Sequence, residues 1–322
     1  MKLAVLDDYQ NVTLELANWS LLPPEIEVGI FNEHLSDSTA LVETLKEYEI
    51  ILAMRERTPF TSELLENLPN LQLLITTGMR NASIDIATAT RLGISVCGTR
   101  GGGPATAELA WGHILALLRN IPAEDASIRN GGWQTTVGIE LKGKTLGLLG
   151  LGNLGSHMAV IGNAFGMEVI AWSQNLTRKR AADHKAMLVL KDELFIRSDI
   201  VSIQLVLSDR TRGLVGEHEL GLMKPTAYLV NTSRGPIVDE QALIAALESD
   251  TIAGAGIDVF HPEPLPIDHP FRKLSKTVVT PHLGHVTQET YRTFFKDAID
   301  DINSWLSGKP QRLLNPNVTQ RV

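Results

Sequence analysis

The stretch Thr145-Leu-Gly-Leu-Leu-Gly-Leu-Gly-Asn-Leu-Gly-Ser156 decides how this chain is read. Thr145 to Leu149 is an apolar run short enough for a buried strand, and a glycine-rich turn follows it. Leu154, Met158, Val160, Ile161 and Phe165 then recur at helical spacing, and a second strand reads from Glu168 to Trp172. Gly150, Gly152 and Gly155 thus form G-x-G-x-x-G between a strand and a helix, the context in which the pattern means dinucleotide binding. Gly150 allows the tight turn, Gly152 lets a pyrophosphate approach the backbone, and Gly155 lets the helix lie close on the strand. Asn153 and Leu154 open the helix, whose free N–H groups and positive dipole end suit phosphates.

Outward from this loop, strand and helix signals alternate in both directions. On the N-terminal side, strands are expected at Lys2–Leu6, Glu27–Phe31, Ile50–Ala53, Leu71–Thr76 and Ile94–Cys97, with helices at Ser38–Tyr48, Thr61–Leu68 and Ile84–Leu92. That rhythm predicts a parallel-sheet domain over residues 1–100. Gly101-Gly102-Gly103-Pro104 punctuates the chain and is expected to be a hinge. Ala105 to about Asn120 reads as a helix that is apolar nearly all round, which places it between layers or between subunits; the subunit interface is the favoured reading. On the C-terminal side, strands are expected at Ile200–Leu205, Thr226–Val230, Ile252–Ile257 and Thr277–Thr280, and a long amphipathic helix at Thr287–Leu306. The fold class is therefore α/β in two domains: a Rossmann-type dinucleotide-binding domain, residues 101–286, and a flavodoxin-like parallel-sheet substrate domain, residues 1–100 with 287–322.

Composition narrows the function. The chain has 322 residues, 43% hydrophobic, with a formal net charge of −8, which disfavours nucleic acid or an anionic membrane as the main partner. The first apolar run meets Asp7 and Asp8 at once, so it reads as a strand and not as a signal peptide, and no apolar run is long enough for a bilayer. A cytoplasmic protein is the plain expectation. Cys97 is the one cysteine, expected as a small buried residue at a strand end. No metal site is expected.

Three further stretches carry chemistry. Asn231-Thr-Ser-Arg-Gly-Pro-Ile-Val-Asp239 puts Arg234 just past an apolar strand, where a guanidinium offers a planar fork for a carboxylate. Asp258-Val-Phe-His-Pro-Glu-Pro264 places Asp258 at a strand end and Glu263 in a proline-stiffened loop. Thr280-Pro-His-Leu-Gly284 places His282 just past another strand. Each alone has a bland reading as a solvated loop residue, but sheets of this class bind ligands at strand carboxyl ends.

Together with the glycine loop, and in this order and spacing, these stretches resemble the D-isomer-specific 2-hydroxyacid dehydrogenases over essentially the whole chain. The resemblance implies an NAD(P)-dependent oxidoreductase that moves a hydride between nicotinamide and a D-2-hydroxy acid or 2-oxo acid. It implies that Arg234 binds the substrate carboxylate and carbonyl, that His282 is the general acid/base, and that Glu263 is its partner. It places Asp258 and Thr106 near the nicotinamide, and Leu205, Thr232 and Gly284 along the cofactor. It makes Met54, Arg55, Thr77 and Gly78 substrate-anchoring turns of the first domain. It makes the apolar helix the dimerisation element of a homodimer. Closure about the glycine hinge would exclude water. The alternative within the same superfamily is a non-catalytic dinucleotide-sensing protein. Relatives that carry a C-terminal regulatory domain differ from this chain, which is expected to have no room for one.

The chain departs from that pattern in places. Ser173 and Gln174 stand where an NAD-preferring site wants an acid for the ribose 2′-hydroxyl, and Arg178, Lys179 and Arg180 follow. An acid would repel a 2′-phosphate, whereas these residues tolerate one, so NADP or dual use is the expectation. Gln204-Leu-Val-Leu-Ser208 replaces a family His and Pro on the adenine side. His285 occupies a position the family varies.

Overall fold

The computed structural model describes residues 1–101 and 103–319. The chain forms two compact units, Met1–Gly102 with Thr287–Val322, and Gly103–Val286. Of the expected glycine hinge, Gly102 lies outside the described residues.

The first unit is built on a parallel five-stranded sheet of β1 (Lys2–Val5), β2 (Glu27–Ile30), β3 (Ile50–Ala53), β4 (Leu73–Thr76) and β5 (Ser95–Gly98), in the order β2-β1-β3-β4-β5. This is the flavodoxin-like order. β3, β4 and β5 are buried along their whole length, which is why they read as unbroken apolar runs rather than as alternating ones. Cys97 lies within β5 and is buried, and the loss of solvation pushes its thiol pKa up to about 12. The helices begin at side-chain caps visible in the sequence: Asp37, Thr61 and Asp85 each accept a backbone N–H of the first turn. The C-terminal helix Gln288–Leu306 opens on Thr287 and buries Tyr291, Phe294, Phe295, Ala298, Ile299 and Ile302, a stripe at the three-and-four spacing of an amphipathic helix.

The second unit holds a parallel seven-stranded sheet: β6 (Thr145–Leu149), β7 (Glu168–Trp172), β8 (Met187–Leu188), β9 (Ile200–Ile203), β10 (Tyr228–Asn231), β11 (Gly254–Ile257) and β12 (Thr277–Val279), ordered β12-β11-β10-β9-β6-β7-β8. The direction of winding reverses between β6 and β9, the switch point at which such sheets take their ligand. The strands β6 and β9 pair in register from Leu146 with Ile200 to Leu149 with Ile203, so their carboxyl ends finish level.

The helix Ala105–Leu118 has a buried face covered from within its own unit. Its buried face, Ala107, Ala110, Trp111, Ile114, Leu117 and Leu118, packs within its own unit, in one core with Leu146, Leu148 and Met158. Its apolar character comes from lying between the sheet and the helix Asn153–Ala164, so that burial requires no second subunit. Elements beyond the expected set include the helices Thr13–Leu16, Ile121–Arg129 and Glu217–Leu222, and the two-residue strand β8.

Candidate active site

Six neighbouring strands of the second unit, β12, β11, β10, β9, β6 and β7, end on one edge. Because all run parallel, the residues just past them share that edge: His282 after β12, Asp258 after β11, Arg234 after β10, Leu205 after β9, Gly150 after β6 and Ser173 after β7. Periodicity in the sequence located the strands; the parallel order gathers their ends.

The glycine loop sits at the centre of this edge. Gly150 has φ +103°, and a Cβ there would overlap the Gln204 carbonyl. At Gly155 a Cβ would overlap the Gly150 carbonyl, so the helix Asn153–Ala164 could not approach the loop. Gly152 differs, because a Cβ there would meet nothing within 4 Å. The room above the helix N-terminus is the shape a pyrophosphate needs. Two buried acceptors nearby, Thr232 Oγ1 and Gln204 Oε1, have no hydrogen-bond partner among the described residues. Buried polar atoms are rarely left so, and a polar ligand along this edge would satisfy them. The residues present therefore fit a dinucleotide.

At the other end, His282 Nδ1 lies 2.7 Å from Glu263 Oε2. Glu263 is held in turn, since its Oε1 accepts from the Phe260 backbone N–H at 2.8 Å. The His282 backbone N–H donates to the Asp258 carbonyl at 2.8 Å, and the residue adopts a left-handed φ of +55°. Asp258, fully buried, accepts from Thr280 Oγ1, Leu283 N and Gly284 N. Burial raises its pKa, with those donors and the nearby His282 pulling the other way. Thr106 Oγ1 donates to the Gly284 carbonyl at 2.8 Å, closing the loop from the opposite side. The edge of the His282 ring is met by His285, with centroids 5.2 Å apart and planes at 87°.

The Arg234 loop abuts the same cluster. A Cβ on Gly235 would come within 2.6 Å of the Phe260 backbone, which is the residue that donates to Glu263. The Arg234 carbonyl accepts from Asn231 Nδ2, and its guanidinium donates through Nη1 to the Ser233 carbonyl at 2.6 Å. Within one sheet edge the structure thus brings together an imidazole–carboxylate pair, a guanidinium loop and a dinucleotide cradle.

Past β7, Ser173 is partly buried while Gln174 and Arg178 are exposed. Arg180 Nε donates to the Leu151 carbonyl of the glycine loop at 3.1 Å, and Arg210 Nη1 donates to Gln174 Oε1 at 3.2 Å. Arg210, far along the chain, was not legible as a member of this group. Asn153 is the first residue of the loop helix, and Leu154 packs into the core beneath it.

The first unit gathers its own set. Arg55 N donates to Thr77 Oγ1 at 2.8 Å and Arg55 Nη1 to the Thr77 carbonyl at 2.9 Å; Thr77 Oγ1 lies 3.5 Å from Met54 Sδ, and Gly78 N donates to Thr99 Oγ1 at 2.9 Å. Met54, Arg55, Thr77 and Gly78 form one cluster at the carboxyl ends of β3 and β4. Among the described residues there is no group of three His, Cys, Asp or Glu that could hold a metal, and no helix long and apolar enough to cross a membrane.

Residues 111–284 match the family model described as D-isomer specific 2-hydroxyacid dehydrogenase, NAD binding domain. A glyoxylate reductase of Aeropyrum pernix is 41% identical over 269 residues, 80% of each chain. A hydroxypyruvate reductase of Thermotoga maritima is 35% identical over 298 residues, 91% of this chain and 95% of that one. The solved structure of a phosphoglycerate oxidoreductase from Vibrio cholerae matches with a TM-score of 0.91 at 37% identity, covering 96% and 99% of the two chains. Fold and site define a nicotinamide-dependent oxidoreductase. The chain belongs to the D-isomer-specific 2-hydroxyacid dehydrogenase family, and it is an enzyme of that class rather than a non-catalytic dinucleotide sensor.

Proposed function

We propose that this enzyme reduces small 2-oxo acids to D-2-hydroxy acids, with His282 as proton donor, Glu263 as its partner and Arg234 as the carboxylate anchor. The observation that carries the reading is the 2.7 Å His282–Glu263 pair on the sheet edge that also carries the glycine loop. When bound, the nicotinamide supplies the hydride. The carbonyl oxygen needs a proton in the same event, and imidazole is the side chain suited to give one near neutral pH. Glu263 fixes the ring and stabilises its charged form. Arg234, always charged, holds the acid through a bidentate contact. Asp258, Thr106 and Gly284 shape the nicotinamide end; Leu205, Thr232, Gly150, Gly152, Asn153 and Leu154 hold the rest of the dinucleotide. Met54, Arg55, Thr77 and Gly78 anchor the substrate from the first unit. The names of the relatives put glyoxylate and hydroxypyruvate first among substrates to try.

NADP, or both dinucleotides, is the cofactor in this reading, because Ser173, Gln174 and Arg178, with Arg180 beside them, would tolerate a 2′-phosphate. A homodimer is proposed as well, built on the exposed apolar side chains of Ile121, Ile128, Trp133 and Val137 that follow the buried helix. The test is cofactor oxidation with NADPH or NADH against glyoxylate, hydroxypyruvate, pyruvate and bulkier 2-oxo acids. Turnover of at least one is expected; none with any would overturn the proposal. In the same assay Ser173→Asp is expected to cut kcat/KM for NADPH by tenfold or more, on the order of one charge repulsion, and to spare NADH.

A further inference from the structure

Asp258 does more than sit beside His282. Its three donors, Thr280 Oγ1 at 2.6 Å, Leu283 N at 2.7 Å and Gly284 N at 2.9 Å, flank His282 on both sides in sequence. The carboxylate is therefore the peg around which the histidine loop turns. The helix Ala105–Leu118 reaches this network from outside the loop. His113, 1% exposed in the helix Ala105–Leu118, lies with Nε2 2.8 Å from Thr280 Oγ1. The single proton of Thr280 goes to Asp258, so only lone pairs remain for His113, and the imidazole must donate through Nε2–H. Burial pushes the His113 pKa down to about 4, against a smaller upward pull from the Val278 carbonyl, so near neutral pH the ring is uncharged with one N–H to place. On the same helix, Thr106 Oγ1 donates to the Gly284 carbonyl. Positions 106 and 113 are two turns apart and share a face. The helix therefore grips the loop at Thr280 and at Gly284, with His282 between.

We infer that His113 is a positioning residue for the hydride-transfer reaction: its N–H commits Thr280 to donate to Asp258, and so holds His282 in place against Glu263. The inference rests on the proposed role of His282. The pattern of the helix hid it, because one histidine among Trp111, Ile114 and Leu117 reads as core.

The experiment compares His113→Leu, His113→Gln and Thr280→Val with the wild type in two readouts. One is steady-state kinetics with NADPH and the best 2-oxo acid. The other is amide hydrogen exchange across residues 282–286 in the protein alone, with thermal unfolding recorded alongside. His113→Leu is expected to lower kcat roughly tenfold with KM within about twofold, as a slightly misplaced acid would. It should also speed exchange at Leu283 and Gly284. The glutamine keeps an N–H near the Nε2 position, so His113→Gln should recover kcat to within about threefold of wild type. Thr280→Val, which deletes the middle of the chain of bonds, should reproduce the leucine variant. A leucine variant with wild-type kcat and exchange, or a glutamine variant as slow as the leucine one, overturns the inference, because His113 would then only fill space. Should His113→Leu not fold, a Thr280→Val protein with wild-type kcat and exchange overturns it equally. If the wild type turns over no 2-oxo acid, the proposed function fails, while the exchange comparison still decides whether His113 braces the loop.

Discussion

His282 owes its position to partners on three sides: the Glu263 carboxylate at its ring, the Asp258 carbonyl at its backbone, and His285 at its edge. The carboxylate at 2.7 Å fixes which way the ring faces. Glu263→Gln is therefore expected to lower kcat for 2-oxo acid reduction about tenfold or more with KM within about threefold, measured by steady-state kinetics. A wild-type kcat would mean that the loop packing orients His282 without Glu263. At this scale much was legible. Arg234, Asp258 and His282 stand just past apolar runs, so each could be placed at a strand end, and Glu263 in the proline-stiffened loop that follows Asp258. His113 and Arg210 could not, because their meaning lies in partners 167 and 36 residues away, Thr280 and Gln174, which no local pattern announces.

Among the elements, the strand–loop–helix of Thr145–Ala164 shows how glycine spacing becomes a binding surface. Gly155 is the position where the helix touches the loop, and a methyl there would collide with the Gly150 carbonyl. Gly155→Ala is expected to push the helix N-terminus out of line and weaken dinucleotide affinity by tenfold or more, measured by fluorescence titration, with a lowered Tm. Unchanged affinity would mean that the loop relaxes around the methyl. The strands were legible because most are buried as continuous apolar runs, and the helices after Asp37, Thr61 and Thr287 because those residues announce their starts; the cap Asp85 was taken into its helix, which begins at Ile86. The helix Ala105–Leu118 was found, but an apolar surface records that a helix is covered, not what covers it; within the chain the cover is the core it shares with Leu146, Leu148 and Met158. The helix Ile121–Arg129 escaped because it buries no residue and so has no apolar stripe.

Taken as a molecule, the chain closes its first unit with its own C-terminal helix, and the contact is charged as well as apolar. Asp297 and Asp301, one turn apart and both fully buried, face Arg100 and Arg312. Arg100 donates to Asp297 from both its backbone and its guanidinium, and holds that carboxyl below the usual range despite burial. Among the described residues Asp301 pairs with Arg312 alone, at 2.9 Å, and burial wins, pushing its pKa up to about 7. A carboxyl raised in the folded state contributes stability that is complete below the ordinary aspartate range and lost as pH climbs through about 7. His113 in the other unit acts oppositely: held neutral with its pKa near 4, it favours folding above the ordinary histidine value and less as pH falls toward 4. Asp301→Asn is expected to remove the first slope, so that stability by urea titration falls less between pH 4 and 7 than in the wild type. An unchanged slope would place the ionisation elsewhere. None of this was visible in the sequence, where these acids read as the polar face of an amphipathic helix.

His282 as the proton donor of a reductase is tested most directly by single-turnover reduction of glyoxylate by NADPH in His282→Gln, with cofactor affinity measured in parallel. The rate is predicted to fall by about 10²–10⁴-fold, the usual contribution of a general acid, while dinucleotide affinity stays within about threefold. A variant that retains its rate to within a few-fold would show that the proton comes from another group.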